Sequence, residues 1–521
     1  ATIIVTPTFT NEGVSCDGPT ESFTITVNPT AQVDIPVDQV VCNTESTTVL
    51  FTTDNTVGVT AYAWTSDIEI GAGLTGAGDM SFTAANEGTD PLVATIIVTP
   101  TFTNEGVSCD GPTESFTITV NPTAQVDITA DQVVCDLNTT SVLFTTENTV
   151  GVTAYTWTSD IEIGAGLTGA GDMSFTAANE GTDPLVATII VTPTFTNEGV
   201  SCDGPTESFT ITVNPTAQVN VIANEVVCNA EAISVLFTTE NTVGVTAYAW
   251  TSDIEIGAGL TGAGDMSFTA ANEGTDPLVA TIIVTPTFTN EGVSCDGPTE
   301  SFTITVNPTA QVNVIANEVV CNAEATTVVF ETENTVGDTA YAWTSDIEIG
   351  AGLTGAGDMS FTAANEGTDP LVATIIVTPT FTNEGVSCDG PTESFTITVN
   401  PTAQIDVITS QVLCNNELTE LVAFTTQNTN GDTSYTWIND TPSIGLAATG
   451  SVDITSFTAT NEGTDPLVAT IIVTPTFTNE GVSCDGPTES FTITVNPTAQ
   501  VDIAVDQVVC NAEAISVLFT T

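Results

Sequence analysis

The chain has no lysine, no arginine and no histidine among its 521 residues, while 65 aspartates and glutamates give it a formal net charge of −65. Each absence excludes something. No side-chain ion pair can form, so the carboxylates only repel one another or meet cations from outside. Nucleic-acid phosphates would be repelled, which excludes that class of partner. General acid–base catalysis loses histidine, its most frequent agent, and lysine behind it. A serine or cysteine nucleophile has no basic nitrogen beside it. A carboxylate pair of the glycosidase kind remains, but among 65 acids a pair found anywhere says nothing. The chain therefore reads as a non-enzyme. Long apolar runs are missing too: none approaches the ~20 residues of a membrane span. No secretory leader is visible at the first residue, which lies inside a repeat, so the sequence reads as a segment of a longer protein whose targeting signal and anchor lie outside it.

What is present is repetition. The block ATIIVTPTFTNEGVSCDGPTESFTITVNPTAQ at residues 1–32 returns unchanged at Ala94, Ala187, Ala280, Ala373 and Ala469. One cysteine series, Cys16, Cys109, Cys202, Cys295, Cys388 and Cys484, falls in SCDGP; a second, Cys42, Cys135, Cys228, Cys321, Cys414 and Cys510, follows 26 residues behind. The period is 93 residues, stretched to 96 in the fifth unit around TPSIGLAATGSVDITSF. That is the size of one small β domain rather than of a solenoid turn. VNPTA marks the boundaries, because proline fixes its own φ and holds the preceding asparagine extended, which makes a short, stiff joint. The expected domains are 31–123, 124–216, 217–309, 310–402 and 403–498, flanked by the closing hairpin of a truncated repeat at 1–30 and the opening strands of another at 499–521.

Within a unit the pattern has period two. Ala94, Ile96, Val98, Pro100 and Phe102 point one way, and Thr95, Ile97, Thr99, Thr101 and Thr103 the other. Runs rich in β-branched and aromatic residues predict about seven strands, near 32–41, 47–53, 60–66, 68–74, 81–85, 93–103 and 114–120. The fold class is all-β: tandem immunoglobulin-like β-sandwiches, as beads on a string. Pro100 in a central strand predicts a bulge or bend. Trp64, Trp157, Trp250, Trp343 and Trp437 read as core tryptophans between the sheets rather than as ligand platforms. At ~40 Å per bead, five beads would reach about 200 Å.

The segments QVVCN, YAWTS, SFTAANEGTDPLVATIIVTPTFT, GVSCDGP and FTITVNPTA resemble the PKD-like and immunoglobulin-like repeats of giant cell-surface adhesins of the Bacteroidota, the SprB-type gliding-motility adhesins among them. The tryptophan is followed by TSDIEI instead of the WDFGDG-type motif of true PKD domains, so the resemblance is to the PKD-like branch. It implies secretion by the type IX system, the bacterial cell surface, a role in a long adhesin or filament linked to gliding motility, and no catalytic residue.

An even set of cysteines without a CxxC pair or histidine reads as disulfides. One pairing stays inside each unit: Cys42–Cys109, Cys135–Cys202, Cys228–Cys295, Cys321–Cys388 and Cys414–Cys484. In an immunoglobulin-like topology, however, those two turns sit at opposite ends of a sandwich ~30 Å long, and a disulfide needs Cα atoms within about 7 Å. The preferred pairing therefore joins neighbouring units: Cys42–Cys202, Cys135–Cys295, Cys228–Cys388 and Cys321–Cys484. Cys16, Cys109, Cys414 and Cys510 would then take partners beyond this segment. Asp110 and Glu114 in the hairpin and Asp34 and Asp38 on the first strand are the candidate calcium ligands, calcium wanting six to eight oxygens; no other cofactor is expected. The expected role is the load-bearing shaft of an extracellular adhesin or surface filament. Its partners would be further repeats of the same longer chain, laterally associated copies, and a surface polysaccharide or substratum reached through a tip outside this segment. The alternatives are a multivalent polysaccharide-binding array and the spacer of a large secreted enzyme.

Overall fold

The computed structural model describes residues 1–128, 130–503 and 505–520. Contact density divides the chain into two units: Ala1–Val221, Leu236–Trp250 and Ile283–Glu300 form one, and Ile222–Val235, Thr251–Ile282 and Ser301–Thr521 the other.

In the first unit, residues 31–123 show how the alternating pattern folds. The long strand Leu92–Asn104 lies at the centre of a six-stranded sheet. One edge pairs antiparallel with Val59–Ser66, which carries the short strand Thr75–Ala77 outside it; the other pairs with Glu114–Asn121, which pairs in parallel with Gln39–Cys42. Ser46–Val49 and Met80–Thr83 form a separate antiparallel ribbon facing this sheet. Inward residues from both layers close the core: Val49, Phe51 and Met80 from one side, Trp64, Ile96, Val98, Phe116, Ile118 and Val120 from the other. Phe51 sits 5.5 Å from Tyr62 and meets Phe116 edge-on at 6.2 Å, the tilted geometries that aromatic quadrupoles favour. The five tryptophans are each 6% exposed and belong to the core. Gly76 leaves room for one of them, since a Cβ there would stand 2.0 Å from Trp64 Cζ2.

Residues 124–216 repeat this plan. In the second unit, 310–402 does so as well, around Phe330, Trp343, Met359, Ile375 and Phe395. Residues 403–498 keep the large sheet but lose the regular ribbon. Single bridges, Leu418 to Thr458 and Val422 to Ile454, take its place, and the 3₁₀ turn Pro442–Ile444 lies outside it, in the segment after the tryptophan strand Asp432–Asn439. This is the stretch whose sequence departs from the other units.

Three sequence expectations need correction. The first strand is not continuous over 32–41. Asp34 bridges antiparallel to Thr52 beside the ribbon, and the chain then crosses to pair Gln39–Cys42 in parallel with the last strand; a segment that changes sheets cannot keep one ladder. No strand forms over 68–74, because Glu69 Oε1 accepts the amides of Gly71 and Gly73 at 2.8 and 2.9 Å and curls the segment into a turn. Pro100 does not bend its own strand, whose register with Val59–Ser66 is unbroken. The bulge lies in the neighbour: pairing steps from Val98–Glu114 to Thr101–Asp110, so three residues there oppose two, next to the proline that lacks an amide to donate.

Carboxylates do part of the work that cations do elsewhere. They cap backbone amides and threonine hydroxyls: Asp67 accepts from Thr95 N, Asp79 from Phe51 N and Asp38 from Thr117 N, at 2.7 to 2.9 Å. The Thr95 amide holds the Asp67 carboxyl below its ordinary range, and the Thr117 amide does the same for Asp38.

Candidate functional site: the joint between repeats

The register fixes where the two cysteines of a repeat lie. Cys42 ends its strand opposite Asn121, the last residue of the closing strand, and Val120 beside it pairs with Leu92. Cys109 pairs with Phe102 near the far end of the same long strand. Ten residues of strand at ~3.4 Å each put the two cysteines about 34 Å apart. The pairing inside a unit is therefore out of reach, and the structure does not bring Cys42 to Cys109.

It brings four members of the VC series to the hairpin of the following repeat instead. Cys42 is bonded to Cys202, Cys135 to Cys295, Cys228 to Cys388 and Cys321 to Cys484, with Cα separations of 5.5 to 5.6 Å. Cys16, Cys109, Cys414 and Cys510 are unpaired. Each bond spans 160 residues, or 163 across the longer fifth unit.

Beside each bond lies a paired asparagine contact. The asparagine of VNPTA accepts from the asparagine of NEG in the following hairpin: Asn104 Nδ2 donates to Asn28 Oδ1, Asn197 to Asn121, Asn290 to Asn214, Asn383 to Asn307 and Asn479 to Asn400, all at 3.0 to 3.1 Å. Asn121, Asn214, Asn307 and Asn400 are fully buried. The hairpin tip that reaches them is a tight turn with positive φ at two successive residues, 50° at Glu198 and 82° at Gly199. That twist matches the flanking strands and calls for glycine at the second position. On the near side the chain leaves the sandwich through Thr123, whose hydroxyl accepts from Asn43 Nδ2 at 2.7 Å, while Asn43 N donates to Asn121 O. The hairpin also needs Gly204, because a Cβ there would meet the Ala124 carbonyl at 2.0 Å.

A second contact holds the same joint from its other side. Asp90, in the GTDP loop, accepts from Thr149 Oγ1 at 2.6 Å and Thr149 N at 3.1 Å, and Thr89 O accepts from Asn148 Nδ2 at 2.9 Å. Asp183 takes Thr242 in the same way, and Asp276 takes Thr335. The Thr149 hydroxyl holds the Asp90 carboxyl below its ordinary range, and Thr242 does so for Asp183. In 403–498, where ENTVG becomes QNTNG, Thr368 O instead accepts the amide of Thr429.

The asparagine and aspartate locks were not foreseen. The sequence signal for the asparagine lock is the unchanged Asn-Pro and Asn-Glu-Gly in every block, of which only the first is read from the sequence, as a boundary. The four candidate calcium ligands are occupied or apart. Asp110 accepts from Thr101 Oγ1, Asp34 from Thr52 Oγ1 and Asp38 from Thr117 N. Glu114 lines an open hollow with Asp34 and Asp54, yet among the described residues no group of three or more acids, cysteines or histidines is arranged to hold a metal ion. Among the described residues no helix is long and apolar enough to cross a membrane.

A parallel pairing of first and last strands, a five-strand path through the sheet and a facing two-strand ribbon define the class: tandem immunoglobulin-like β-sandwiches. No family model matches the sequence, and no curated protein matches it. Similar solved structures include the Drosophila N-cadherin EC1-4 segment, 12% identical over 71% of this chain and 99% of that one, with a TM-score of 0.24. The human desmocollin-1 ectodomain is 11% identical over 92% of this chain and 99% of that one, at 0.23. Sidekick-1 immunoglobulin domains 1–5 are 8% identical over 90% and 98%, at 0.22.

Proposed function

We propose that this chain is a stretch of the shaft of an extracellular adhesin or surface filament, built to carry tension. One observation carries the reading: every repeat whose bond is present is joined covalently to its neighbour, at a joint also locked by asparagines. A spacer that only sets distance needs no such bond, and an array of independent binding modules gains nothing from it. Disulfides of this number belong to an oxidising, extracytoplasmic compartment. Absent cations suit a passive surface, and no catalytic residue is proposed. The particular setting proposed is the surface of a Bacteroidota cell, with export by the type IX system and a place in gliding motility. In that setting the shaft holds a tip against a polysaccharide or substratum, and Cys16, Cys109, Cys414 and Cys510 bond to further repeats of the longer chain. The support for that setting is the resemblance of the repeats to SprB-type adhesins.

The test is to label intact, unpermeabilised cells of the source with antibody against the repeat. Threads outside the cell, whose attachment strength under flow falls after mild reduction, are expected. A signal confined to permeabilised cells, or attachment indifferent to reduction, overturns the reading.

A further inference from the structure

The four bonds are not four independent staples. The loop closed by Cys42–Cys202 and the loop closed by Cys135–Cys295 overlap over residues 135–202, and each later loop overlaps its predecessor in the same way. Between one bond and the next along the same route lie 26 residues: Cys202 to Cys228, and Cys295 to Cys321. The cysteines therefore trace two interleaved covalent routes. One runs Cys16 to Cys42, across to Cys202, along to Cys228, across to Cys388 and along to Cys414. The other runs Cys109 to Cys135, across to Cys295, along to Cys321, across to Cys484 and along to Cys510. Each connector is the same piece of structure: the closing strand, the VNPTA joint and the opening strand.

We infer that the chain is a redundant, extension-limiting ladder, in which domains can unfold under load without lengthening the molecule much and in which no single disulfide is essential. This rests on the load-bearing reading and says how the load is carried. From Cys42 to Cys228 the backbone runs through 186 residues, whereas the bonded route runs through 26. At ~3.4 Å per extended residue these are about 630 Å and about 90 Å. Once taut, a ladder of such connectors reaches roughly one-seventh of the length of the free chain. Between the chain's two ends, the shortest route goes from Ala1 to Cys42, across to Cys202, along to Cys228, across to Cys388, back to Cys321, across to Cys484 and on to the last residue. It crosses roughly 170 residues, or about 580 Å, against about 1,770 Å for the whole backbone. A second route of the same length turns back from Cys202 to Cys135 instead, and with any one bond lost a route of at most about 200 residues remains, so breaking one bond only transfers tension to the others.

Single-molecule stretching of the full chain, held at its two ends, tests this. Cys16, Cys109, Cys414 and Cys510 are replaced by serine throughout to prevent cross-linking between molecules. The oxidised chain is expected to stop at about 580 Å at forces that unfold sandwiches but do not break sulfur–sulfur bonds, and the reduced chain to reach about threefold that length. Adding Cys42→Ser and Cys202→Ser should lengthen the limit by only about 26 residues, roughly 90 Å. Adding Cys135→Ser and Cys295→Ser as well removes two overlapping bonds and should lengthen the limit by roughly 160 residues, about 540 Å, over the four-bond chain. A long release from the single loss overturns the redundancy while leaving the load-bearing reading in place. An oxidised chain with all four bonds intended that extends like the reduced one overturns the pairing, and the load-bearing reading with it.

Discussion

Replacing the buried asparagine of the joint by alanine isolates what the asparagine lock contributes. At the second joint Asn121 accepts one bond of good length, 3.0 Å from Asn197 Nδ2, and donates two long ones, 3.5 Å to Asn197 O and 3.5 Å to Val200 O. The long pair adds little, and the short bond is worth about 1 kcal/mol net. Asn121 is fully buried, so the amide left behind and the small void bring the cost of Asn121→Ala to about 2 kcal/mol per joint. That is roughly a 30-fold rise in the open fraction of the joint. Because the hairpins are identical in sequence, one variant would be averaged with its unchanged copies. Asn28, Asn121, Asn214, Asn307 and Asn400 are therefore changed together, and hydrogen exchange is read on the shared hairpin peptide FTNEGVS. The expected result is exchange 10- to 30-fold faster in that peptide, with the core strand peptides unchanged. Exchange within twofold of the parent would mean that the asparagines only fill space and that the disulfide alone makes the joint.

Gly204→Ala forces a Cβ to 2.0 Å from the Ala124 carbonyl; because backbone must shift, a loss of about 2 kcal/mol or more is expected in urea titration, against a few tenths at a free surface glycine. Acid should loosen the aspartate locks. The Asp90 and Asp183 carboxyls titrate below their ordinary range in the folded chain because they accept from Thr149 and Thr242. Their contribution is thus complete above the ordinary carboxyl range and is lost as pH falls through the lowered folded values. Melting temperature followed downward in pH should drop there in the parent and drop less in Asp90→Asn with Asp183→Asn. The tryptophans should differ from one another: Trp437 Nε1 donates to Val452 O at 2.9 Å, whereas the buried Trp157 Nε1 has no hydrogen-bond partner. Trp437→Phe should therefore cost about 1 kcal/mol more than Trp157→Phe in parallel denaturation curves.

The all-β class and the sandwich were readable because alternation is a local signal: Ile96, Val98 and Phe102 declare one face without any knowledge of partners. The opposite placement of the two cysteines was also readable, because turn order alone puts a first turn and a last hairpin at different ends. The sheet-switching first segment was not. Asp34 and Gln39 lie five residues apart in an extended run, and only the positions of Thr52 and the closing strand decide that they join different ladders. The glycine-rich 68–74 misled for a similar reason: its apolar residues alternate, but Glu69 finds two glycine amides and makes a turn. The locks were hidden because their partners lie 76 residues apart for Asn121 with Asn197 and 59 apart for Asp90 with Thr149; no spacing rule connects residues of different domains. Among the candidate calcium acids, Asp34, Asp38 and Asp110 look free in sequence, yet each accepts a hydroxyl or an amide in the fold.

The most direct test of the account is a count of free thiols on the folded, oxidised, monomeric chain of 521 residues. Bonds between neighbouring repeats leave four, at Cys16, Cys109, Cys414 and Cys510. Bonds within repeats would consume Cys109 and Cys414 and leave two. Four reactive thiols are predicted; two would contradict the joint, the ladder and the load-bearing shaft together.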